Sequence, residues 1–341
     1  MLGYASEALA RARDRRRWPF PGRLESIGGH GLHVRTFGDG GDVPIVFEAD
    51  EGAWSTHWGR LPEDFGAEQP TVAYDRAGLG WSGAGPPPRD AETLARELHQ
   101  LLTRLFSGQP AVLVGHGTGA HVLRAYAHRY PFETAGLVLV DPRHDGFVDR
   151  LRREQIPAAT LSPLLVRVNE ALASFGILRL VGFFSSSNGH LPLPKRQRQL
   201  LDALELDPKV RRGAADELSA EADSLAYLAN LGPTADVPMR ILVSTETLGP
   251  DDVPPNFPRH DYNRVWSEES ACFLDLSKRA QRLMVEGSGH QLQLERPEVV
   301  AQAILDVVDE ARELRAVRDN EPELRPSSDP SGDSFELEER V

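Results

Sequence analysis

Short apolar runs alternate with longer segments whose apolar residues recur at helical spacing over most of this 341-residue chain. Continuous apolar runs bounded by turn residues are typical of strands that are buried on both faces of a sheet. The strands predicted in this way are residues 44–48, 71–75, 112–114, 135–140, 238–245 and 282–286. Residues 24–27 and 32–37, separated by a glycine-rich turn, predict a β-hairpin.

Helical segments separate most of these strands. The clearest is 90–106, in which the leucines form a single stripe, and residues 297–317 predict a closing helix of the same kind. A basic helix is predicted over 6–17, with Ser6 as its N-cap and two prolines after its end. Strands that alternate with helices indicate a mostly parallel sheet covered on both faces, which is an α/β fold.

The pattern changes between about residues 146 and 237. An apolar helical segment occupies residues 164–181, a loop is predicted at 185–189, and further helices are predicted over 195–204 and 214–231. Beyond this region a helix is expected over residues 266–278. Residues 318–341 are rich in proline, serine and acidic residues, which predicts a disordered acidic tail.

One stretch joins a predicted strand to a predicted helix through closely spaced glycines. In residues 111–121, Ala-Val-Leu-Val-Gly-His-Gly-Thr-Gly-Ala-His, glycines at 115, 117 and 119 alternate with His116 and Thr118. This sequence resembles the nucleophile elbow of the α/β-hydrolase family, G-x-S-x-G. The segments Asp75-Arg-Ala-Gly-Leu-Gly-Trp-Ser82 and Gly287-Ser-Gly-His290 also resemble that family.

The resemblance covers about residues 20–315 and implies an α/β-hydrolase fold with an eight-stranded, mostly parallel sheet, flanking helices and a helical cap. The implied boundaries are an N-terminal helical arm at 1–20, a core at 21–145 and 238–317, a cap at 146–237 that roofs a small-molecule pocket, and a tail at 318–341.

Gly117 is the point at which the chain departs from the elbow pattern, because the nucleophilic serine of the family would stand there. The elbow holds its central residue at positive φ, which is strained for any residue that has a Cβ. Glycine adopts this conformation almost without cost. The substitution is therefore expected to relax the turn and to leave the nucleophile position vacant, which makes ordinary serine-hydrolase chemistry unlikely.

The resemblance also assigns a histidine and its acid partner. His290 corresponds to the catalytic histidine of the family, or else it is an inherited loop residue with no proton to move. Family members place the acid after either of two strands, so Asp141 and Glu246 are both candidates for the residue that pairs with His290.

The oxyanion hole is the second departure. Backbone N–H groups would come from Thr118 and from the loop 48–54, which is glycine-rich in relatives but here contains Asp50, Glu51 and Trp54. A carboxylate beside a developing oxyanion would raise the barrier to ester hydrolysis. Two departures in separate segments favour natural divergence over a single inactivating substitution, and they suggest Asp50 or Glu51 as an acid whose pKa is raised by burial.

Other side chains near this motif could serve as the nucleophile. Thr118 is adjacent to Gly117, but its side chain is expected to point away from the pocket centre, which disfavours it. His116 and Trp54 are assigned to the pocket, with His116 in a packing role. Asp50 is disfavoured as a covalent nucleophile as well, because the aspartates that act in this way in related dehalogenases occupy the elbow itself. The remaining histidines have no metal-ligand spacing, so neither a metal nor another cofactor is expected.

The composition of the chain limits the kinds of partner that it is expected to bind. The net charge of −13 argues against nucleic acid and against an anionic membrane, and the single cysteine, Cys272, excludes an internal disulfide framework. No apolar run is long enough for a membrane span, and the basic start lacks the features of a signal peptide, so a cytoplasmic location is expected. The expected partner is a small molecule, and the sequence sets no oligomeric state.

Three functions are compatible with these residues. The favoured one is a diverged enzyme that performs non-covalent acid–base chemistry of lyase, cyclase or isomerase type on a small apolar molecule, with His290 as base and Asp50 or Glu51 as acid. The second is a non-catalytic pseudohydrolase that binds a small ligand or a partner. The third is an inactivated or weak hydrolase of esters, amides or epoxides.

Overall fold

The central sheet contains eight strands in the order β1-β2-β4-β3-β5-β6-β7-β8. The computed structural model describes residues 2–159, 163–180, 191–234 and 236–320. Strands β1 and β2 form an antiparallel hairpin, β2 is antiparallel to β4, and β3 to β8 are parallel to one another. The strands are Arg23–Ser26, Gly31–Phe37, Ile45–Glu48, Thr71–Tyr74, Ala111–His116, Thr134–Val140, Met239–Ser244 and Ala280–Val285. This confirms the predicted α/β fold with a mostly parallel eight-stranded sheet.

Helices connect the strands and cover both faces of the sheet. In chain order, α1 to α7 are Leu2–Arg17, Leu61–Phe65, Ala91–Phe106, Gly119–Arg129, Phe147–Arg153, Pro163–Ser174 and Ile177–Leu180. Helices α8 to α13 are Lys195–Glu205, Pro208–Ser219, Glu221–Leu228, Arg259–Glu269, Leu292–Glu295 and Pro297–Asn320. Short 3₁₀ turns lie at Ser55–Trp58, Pro131–Glu133 and Ser270–Leu276.

Alternate residues of each central strand enter different cores. On β5, Leu113 packs with the apolar stripe of α3, whereas Val112 and Val114 pack with α13 on the opposite face. All three side chains are fully buried. A central strand covered on both faces must be apolar on both sides, which explains the continuous apolar run that predicted it.

Several predicted boundaries differ from the observed ones. The helix expected over 214–231 is two helices, α9 and α10, which meet at Ala220. Helix α11 begins at Arg259, seven residues before the predicted start at 266, because its first turn follows directly on Pro258 and is polar. Helix α13 continues to Asn320, so the predicted tail cannot begin at 318.

Other predictions fall partly outside the description. The loop predicted at 185–189 and the tail from 321 onward lie outside the described residues. Within the described residues, helices α5 to α10 lie between β6 and β7, where the sequence predicted a cap. Among the described residues, no helix combines the length and the apolar content needed to cross a bilayer.

Candidate functional site

Four loops meet at one edge of the sheet and carry the candidate residues. Asp50 follows β3, Gly117 follows β5, Asp141 follows β6 and His290 lies in the loop after β8. Because these strands are parallel, their carboxyl ends share one edge, which brings together residues that are up to 240 positions apart in sequence.

Gly117 forms the sharp turn between β5 and α4 with φ of +53°. A Cβ placed on Gly117 would overlap the Asp50 carboxylate, since its three nearest neighbours would be Oδ1, Cγ and Oδ2 of Asp50, the last at 2.7 Å. The carboxylate of Asp50 thus fills the space in which a side chain at position 117 would begin.

Asp50 is held in this place from two sides. Its Oδ1 accepts hydrogen bonds from the backbone N–H of Thr118 at 2.7 Å and from the Thr118 hydroxyl at 3.0 Å. Its Oδ2 lies 2.9 Å from Nε2 of His290. The side chain of Thr118 therefore faces the site, and the expectation that it points away from the pocket was wrong.

Asp141 completes the arrangement behind His290. Its Oδ2 lies 2.7 Å from Nδ1 of His290, and its side chain is completely buried. Its Oδ1 accepts hydrogen bonds from the backbone N–H of Ser244 and from Nε1 of Trp266. These donors fix the carboxylate, so the imidazole of His290 lies between two carboxylates, Asp50 in front and Asp141 behind.

This geometry determines which groups are charged. Burial alone would lower the pKa of His290, but hydrogen bonds to Asp141 and Asp50 outweigh it and raise the pKa to about 10. Burial alone would raise the pKa of Asp50, yet the hydrogen bond and charge of His290 hold that pKa well below its ordinary value. At neutral pH the pair is an ionised carboxylate and an imidazolium.

Glu51, the next residue, behaves in the opposite way. Burial raises the pKa of its carboxyl group to about 7, against the opposing charge of Arg143. Glu51 is therefore partly protonated near neutral pH. Of the two acids considered from the sequence, Glu51 has the raised pKa and Asp50 does not.

The site opens into a cavity of about 620 Å³. Its deeper wall includes Asp50, Glu51, Arg143, Tyr262 and Trp266, and exposed acidic residues lie at its rim. The guanidinium of Arg143 is ion-paired with Glu221 at the start of α10. A cavity of this size is large enough for a small-molecule substrate.

Arg76 fixes the loop that carries Asp50. Its guanidinium donates to the carbonyl oxygens of Ala49 and Asp50 at 2.6 and 2.7 Å, and it is ion-paired with buried Glu48. Its Nε and Nη2 also donate to the two carboxylate oxygens of Glu217 in α9, at 2.7 and 2.8 Å. One buried cation therefore connects the Asp50 loop to a helix of the insertion between β6 and β7.

Three residues assigned from the sequence do not take the roles expected of them. Glu246 does not contact His290. It is 54% exposed and pairs with Arg259 at 3.4 Å, so the acid partner of His290 in this structure is Asp141. Trp54 is buried in a separate apolar cluster, and neither Trp54 nor His116 lines the cavity.

His116 has a supporting position. Its Nε2 lies 2.8 Å from the backbone carbonyl oxygen of His290, and burial, together with the charge of His290, lowers its pKa to about 4. A neutral His116 donates this hydrogen bond and helps to place the loop that carries His290. This agrees with the packing role expected from the sequence.

The roles of Arg76, Arg143, Tyr262 and Trp266 were missed by the sequence analysis. Arg76 lies within the segment that resembled the family, but its long-range partners Glu48 and Glu217 left no local signal. Both aromatic residues lie on α11. Tyr262 precedes the predicted start of that helix at residue 266, and Trp266 was predicted to be helical but was not assigned to the site.

Two groups of side chains among the described residues have the spacing of a metal site. The ligand atoms of Asp50, His116 and His290 lie within 4.8 Å of one another, as do those of His144, Glu269 and Cys272. In the first group each ligand atom already has a protein partner. The polar atoms at the centre of the site are thus satisfied by one another.

Comparison with known proteins identifies the family. Residues 30–303 match the model of the alpha/beta hydrolase family, which is most of the chain. The chain therefore belongs to the alpha/beta hydrolase family, as its sequence motifs indicated.

Solved structures share the fold at low sequence identity. A thermophilic esterase from Thermogutta terrifontis is 22% identical with a TM-score of 0.57, over 83% of this chain and 94% of that one. The epoxide hydrolase CorEH is 17% identical with a TM-score of 0.61, over 84% and 98% of the two chains. A bacterial membrane phospholipase A is 20% identical with a TM-score of 0.58, over 91% and 93%.

One curated relative matches over a shorter stretch. The uncharacterized protein YqjL of Bacillus subtilis (strain 168) is 34% identical over 117 residues, which are 34% of this chain and 46% of that protein. The match thus spans about half the length of that relative.

Proposed function

We propose that this member of the alpha/beta hydrolase family is a hydrolase that opens epoxide rings, with Asp50 as its nucleophile. One observation carries the proposal: the Asp50 carboxylate lies over Gly117, held by the N–H of Thr118 and by His290. In this proposal Gly117 stands where serine members have their nucleophile, and a carboxylate from the neighbouring loop takes the place of the missing hydroxyl.

The protonation states of Asp50 and His290 determine which type of reaction the site favours. An ionised carboxylate such as Asp50 is a nucleophile, and an imidazolium with a pKa of about 10 is an acid at neutral pH. The sequence suggested His290 as the base. As an imidazolium, however, His290 is an acid in the resting site and cannot accept a proton there. The substrate best suited to the pair is one that accepts a nucleophile at carbon and needs a proton on its leaving oxygen.

An epoxide meets both requirements in the first step. Oδ2 of Asp50 attacks a ring carbon, the C–O bond of the ring breaks, and the proton on Nε2 of His290 passes to the ring oxygen. The products are a hydroxyalkyl ester on Asp50 and a neutral His290. The neutral form of Glu51, in the same cavity wall, is a second proton donor for this oxygen.

The second step returns the enzyme to its starting state. His290, now neutral, takes a proton from water as the water oxygen attacks Cγ of Asp50, and the N–H of Thr118 stabilises the charge that develops on Oδ1. The intermediate expels the alcohol oxygen, which takes the proton back from His290. The new carboxyl group then gives its proton to His290, and the sum is epoxide plus water to diol.

Ordinary ester hydrolysis suits this site less well. The N–H of Thr118 is already engaged by Asp50, so it is not free to stabilise an oxyanion on a substrate ester. In addition, a carboxylate that attacks an ester carbonyl is a better leaving group than the alkoxide, so the addition reverses. These two facts favour attack at a saturated, strained carbon.

A non-covalent route remains the second candidate, and Glu51 is the observation that favours it. A carboxylic acid with a pKa of about 7 beside the cavity is suited to general acid catalysis. In this route Asp50 would accept a proton or direct a water molecule without forming a bond to the substrate. The third candidate function is a protein that binds a ligand in the cavity but does not convert it.

Single turnover in H₂¹⁸O tests the proposal. The enzyme is used in excess over styrene oxide, and both the diol and the peptide that contains Asp50 are analysed by mass spectrometry. The covalent route predicts an unlabelled diol in the first turnover and ¹⁸O in the Asp50 carboxylate. Asp50→Asn should abolish turnover, whereas Asp64→Asn, an exposed change on α2, should not.

Other outcomes overturn the proposal. A labelled diol with an unlabelled Asp50 would show direct attack by water and would support the acid–base route. Absence of turnover on epoxides, esters and alkyl halides, with a ligand bound in the cavity, would support the binding protein. Labelling by a fluorophosphonate would reveal a serine nucleophile and contradict the assignment of Asp50.

A further inference from the structure

A histidine, a glutamate and the only cysteine of the chain converge at the end of α11. His144 lies in the loop after β6, Glu269 is the last residue of α11, and Cys272 lies in the 3₁₀ turn Ser270–Leu276. One ligand atom of each residue lies within 4.8 Å of the other two. His144 and Glu269 are 125 positions apart, so no local spacing in the sequence indicated this cluster.

The imidazole of His144 lies between two carboxylates. Its Nδ1 is 3.2 Å from Oε2 of Glu269, and its Nε2 is 3.2 Å from Oδ1 of Asp145. A neutral imidazole carries a proton on one nitrogen only, so one of these oxygens faces a lone pair. The backbone N–H of Gly146 donates to Nδ1 at 3.1 Å, which favours the form with its proton on Nε2. In this form Nδ1 and Oε2 of Glu269 face each other without a proton, and a cation between them removes the repulsion.

The separation of these two atoms fits one bound ion. Zinc binds histidine nitrogen at about 2.0–2.1 Å and carboxylate oxygen at about 2.0–2.2 Å, so two such ligands at a tetrahedral angle are about 3.4 Å apart. The observed distance from Nδ1 of His144 to Oε2 of Glu269 is 3.2 Å. Cys272 is exposed, so no packing opposes the small shift that brings its sulfur to the same ion.

Glu269 keeps one carboxylate oxygen for a ligand. Its Oε1 is paired with Nη1 of Arg150 at 3.1 Å, whereas Oε2 faces His144. Glu269 also ends α11, and the unpaired carbonyl groups at the carboxyl end of a helix favour a nearby cation. The side chains of His144 and Glu269 are 18% and 13% exposed, so an ion reaches them from solvent without an opening of the core.

We propose that His144, Glu269 and Cys272 bind a zinc ion, with water as the fourth ligand. We call these three residues the α11 site. A set of nitrogen, sulfur and one carboxylate oxygen suits zinc better than magnesium or calcium, which prefer oxygen ligands. Asp145 holds the other ring nitrogen of His144, as a carboxylate commonly does for a metal-bound histidine.

The ion joins two segments that hold Asp141. His144 lies three residues beyond Asp141 in the same loop, and Trp266 of α11 donates its Nε1–H to Oδ1 of Asp141 at 3.0 Å. Zinc bound to His144 and Glu269 ties this loop to α11 and so stabilises the position of the carboxylate that meets His290. This role is structural, and it does not depend on the reaction proposed for Asp50.

Cobalt(II) titration of the full chain tests the α11 site. Cobalt takes the place of zinc in such sites, and a thiolate bound to it gives a sulfur-to-cobalt charge-transfer band in the near ultraviolet. Cys272 is the only cysteine, so the band arises only there, and the other group with metal-site spacing, Asp50, His116 and His290, has no thiol. With the thiol kept reduced, we expect one cobalt ion per chain and a band that zinc displaces.

Variants of each ligand identify the α11 site. Cys272→Ser should abolish the band, and His144→Gln and Glu269→Gln should each weaken cobalt binding by more than about tenfold, since loss of even an outer partner typically costs that much. His99→Gln is the matched control and should bind as the wild type does. His99 also lies 3.1 Å from a glutamate, Glu133, but among the described residues this pair belongs to no group of three ligands.

Zinc should also raise the melting temperature. The increase should be seen in the wild type and in His99→Gln, and it should be smaller in Cys272→Ser, because an ion that binds only the folded state stabilises it. Circular dichroism confirms that each variant is folded. Cys272→Ser changes an exposed side chain, so it tests the proposal even if a variant of His144 or Glu269 does not fold.

Three results would overturn the proposal. The first is the absence of the charge-transfer band from the wild type in excess cobalt. The second is a band whose cobalt affinity is the same in the wild type, His144→Gln and Glu269→Gln, which would mean that the exposed thiol binds the ion alone. The third is one cobalt ion for two chains with a dimer in light scattering, which would place the ion between two copies.

Discussion

The Asp50 carboxylate lies over Gly117, in the space that a side chain at position 117 would occupy. The two residues are 67 positions apart, on the loops after β3 and β5. Without a Cβ at 117 there is room for the carboxylate, and a Cβ at 117 would overlap the carboxylate in its present position, so that Asp50 would have to shift. The space left by the missing side chain on one loop is thus occupied by a charged side chain from another.

Gly117→Ala should destabilise the protein more than backbone conformation alone explains. Gly287 provides the matched control, because its φ is +63° but a Cβ there would meet nothing within 4 Å. Left-handed backbone costs an alanine about 1–2 kcal/mol at either position. Displacement of Asp50 adds to that cost only at Gly117. Denaturant unfolding measures the difference, and equal losses for Gly117→Ala and Gly287→Ala would contradict the close contact.

Gly117→Ser should not produce an efficient esterase. The serine Cβ would collide with Asp50, and the N–H of Thr118 would be shared with a carboxylate. Hydrolysis of p-nitrophenyl esters by Gly117→Ser and by the double variant Gly117→Ser/Asp50→Gly distinguishes these effects. We expect activity, if any, in the double variant alone. High activity of the single variant would show that Asp50 moves aside easily.

The pKa of His290 should lie near 10 and should fall when either carboxylate is neutralised. Asp141 and Asp50 both hold the proton on the imidazole, so Asp141→Asn and Asp50→Asn each remove one stabilising partner. Glu246→Gln should leave the pKa of His290 unchanged, since Glu246 is paired with Arg259 instead. Titration of histidine ring signals by ¹⁵N NMR measures these values. A pKa near 6.5 in the wild type would refute the imidazolium assignment.

The raised pKa of His290 also has a consequence for stability. A proton held more tightly in the folded state than in the unfolded state stabilises the fold below the unfolded pKa, about 6.5. This contribution is lost as the pH rises from there through about 10.

Glu51 should affect stability over a lower pH range. Its pKa is raised to about 7 in the folded protein, so the folded state binds the proton more tightly than the unfolded state. Stability therefore falls as pH rises from about 4.5 to 7, by at most about 3.5 kcal/mol at roughly 1.4 kcal/mol per pKa unit. Glu51→Gln should remove this dependence, so that the variant gains on the wild type at pH 8 but not at pH 4. Unfolding curves at the two pH values measure it, and parallel curves would contradict the shift.

Arg76→Met should be strongly destabilising and should also disturb the site. It leaves Glu48 and Glu217 buried without their cation, which typically costs 3–5 kcal/mol. Arg312→Met removes an exposed ion pair with Asp42 and should cost less than about 1 kcal/mol.

Arg76→Lys separates positioning from stability. Lysine keeps the charge but cannot make the same set of hydrogen bonds to Glu217 and to the carbonyl oxygens of the Asp50 loop. We expect the pKa of His290 to change in this variant because Asp50 shifts. An unchanged histidine titration in a folded Arg76→Lys protein would show that Arg76 does not position Asp50.

The sequence by itself determined the parallel sheet and the sharp turn with Gly117 at its centre, and its resemblance to the alpha/beta hydrolase family pointed to His290. The sheet and the turn are local features: an apolar run makes a buried strand, and closely spaced glycines make a sharp turn. The sequence also drew attention to Asp50 and Glu51 as unusual residues in their loop.

Only the tertiary structure decided what those residues do to one another. Asp141 rather than Glu246 meets His290, Asp50 is ionised while its neighbour Glu51 is partly protonated, and Arg76 connects their loop to a distant helix. Each of these outcomes depends on distances of a few ångströms between residues that are tens to hundreds of positions apart. Hydrogen bonds and charge interactions vary steeply over such distances, and no local pattern in the chain records them.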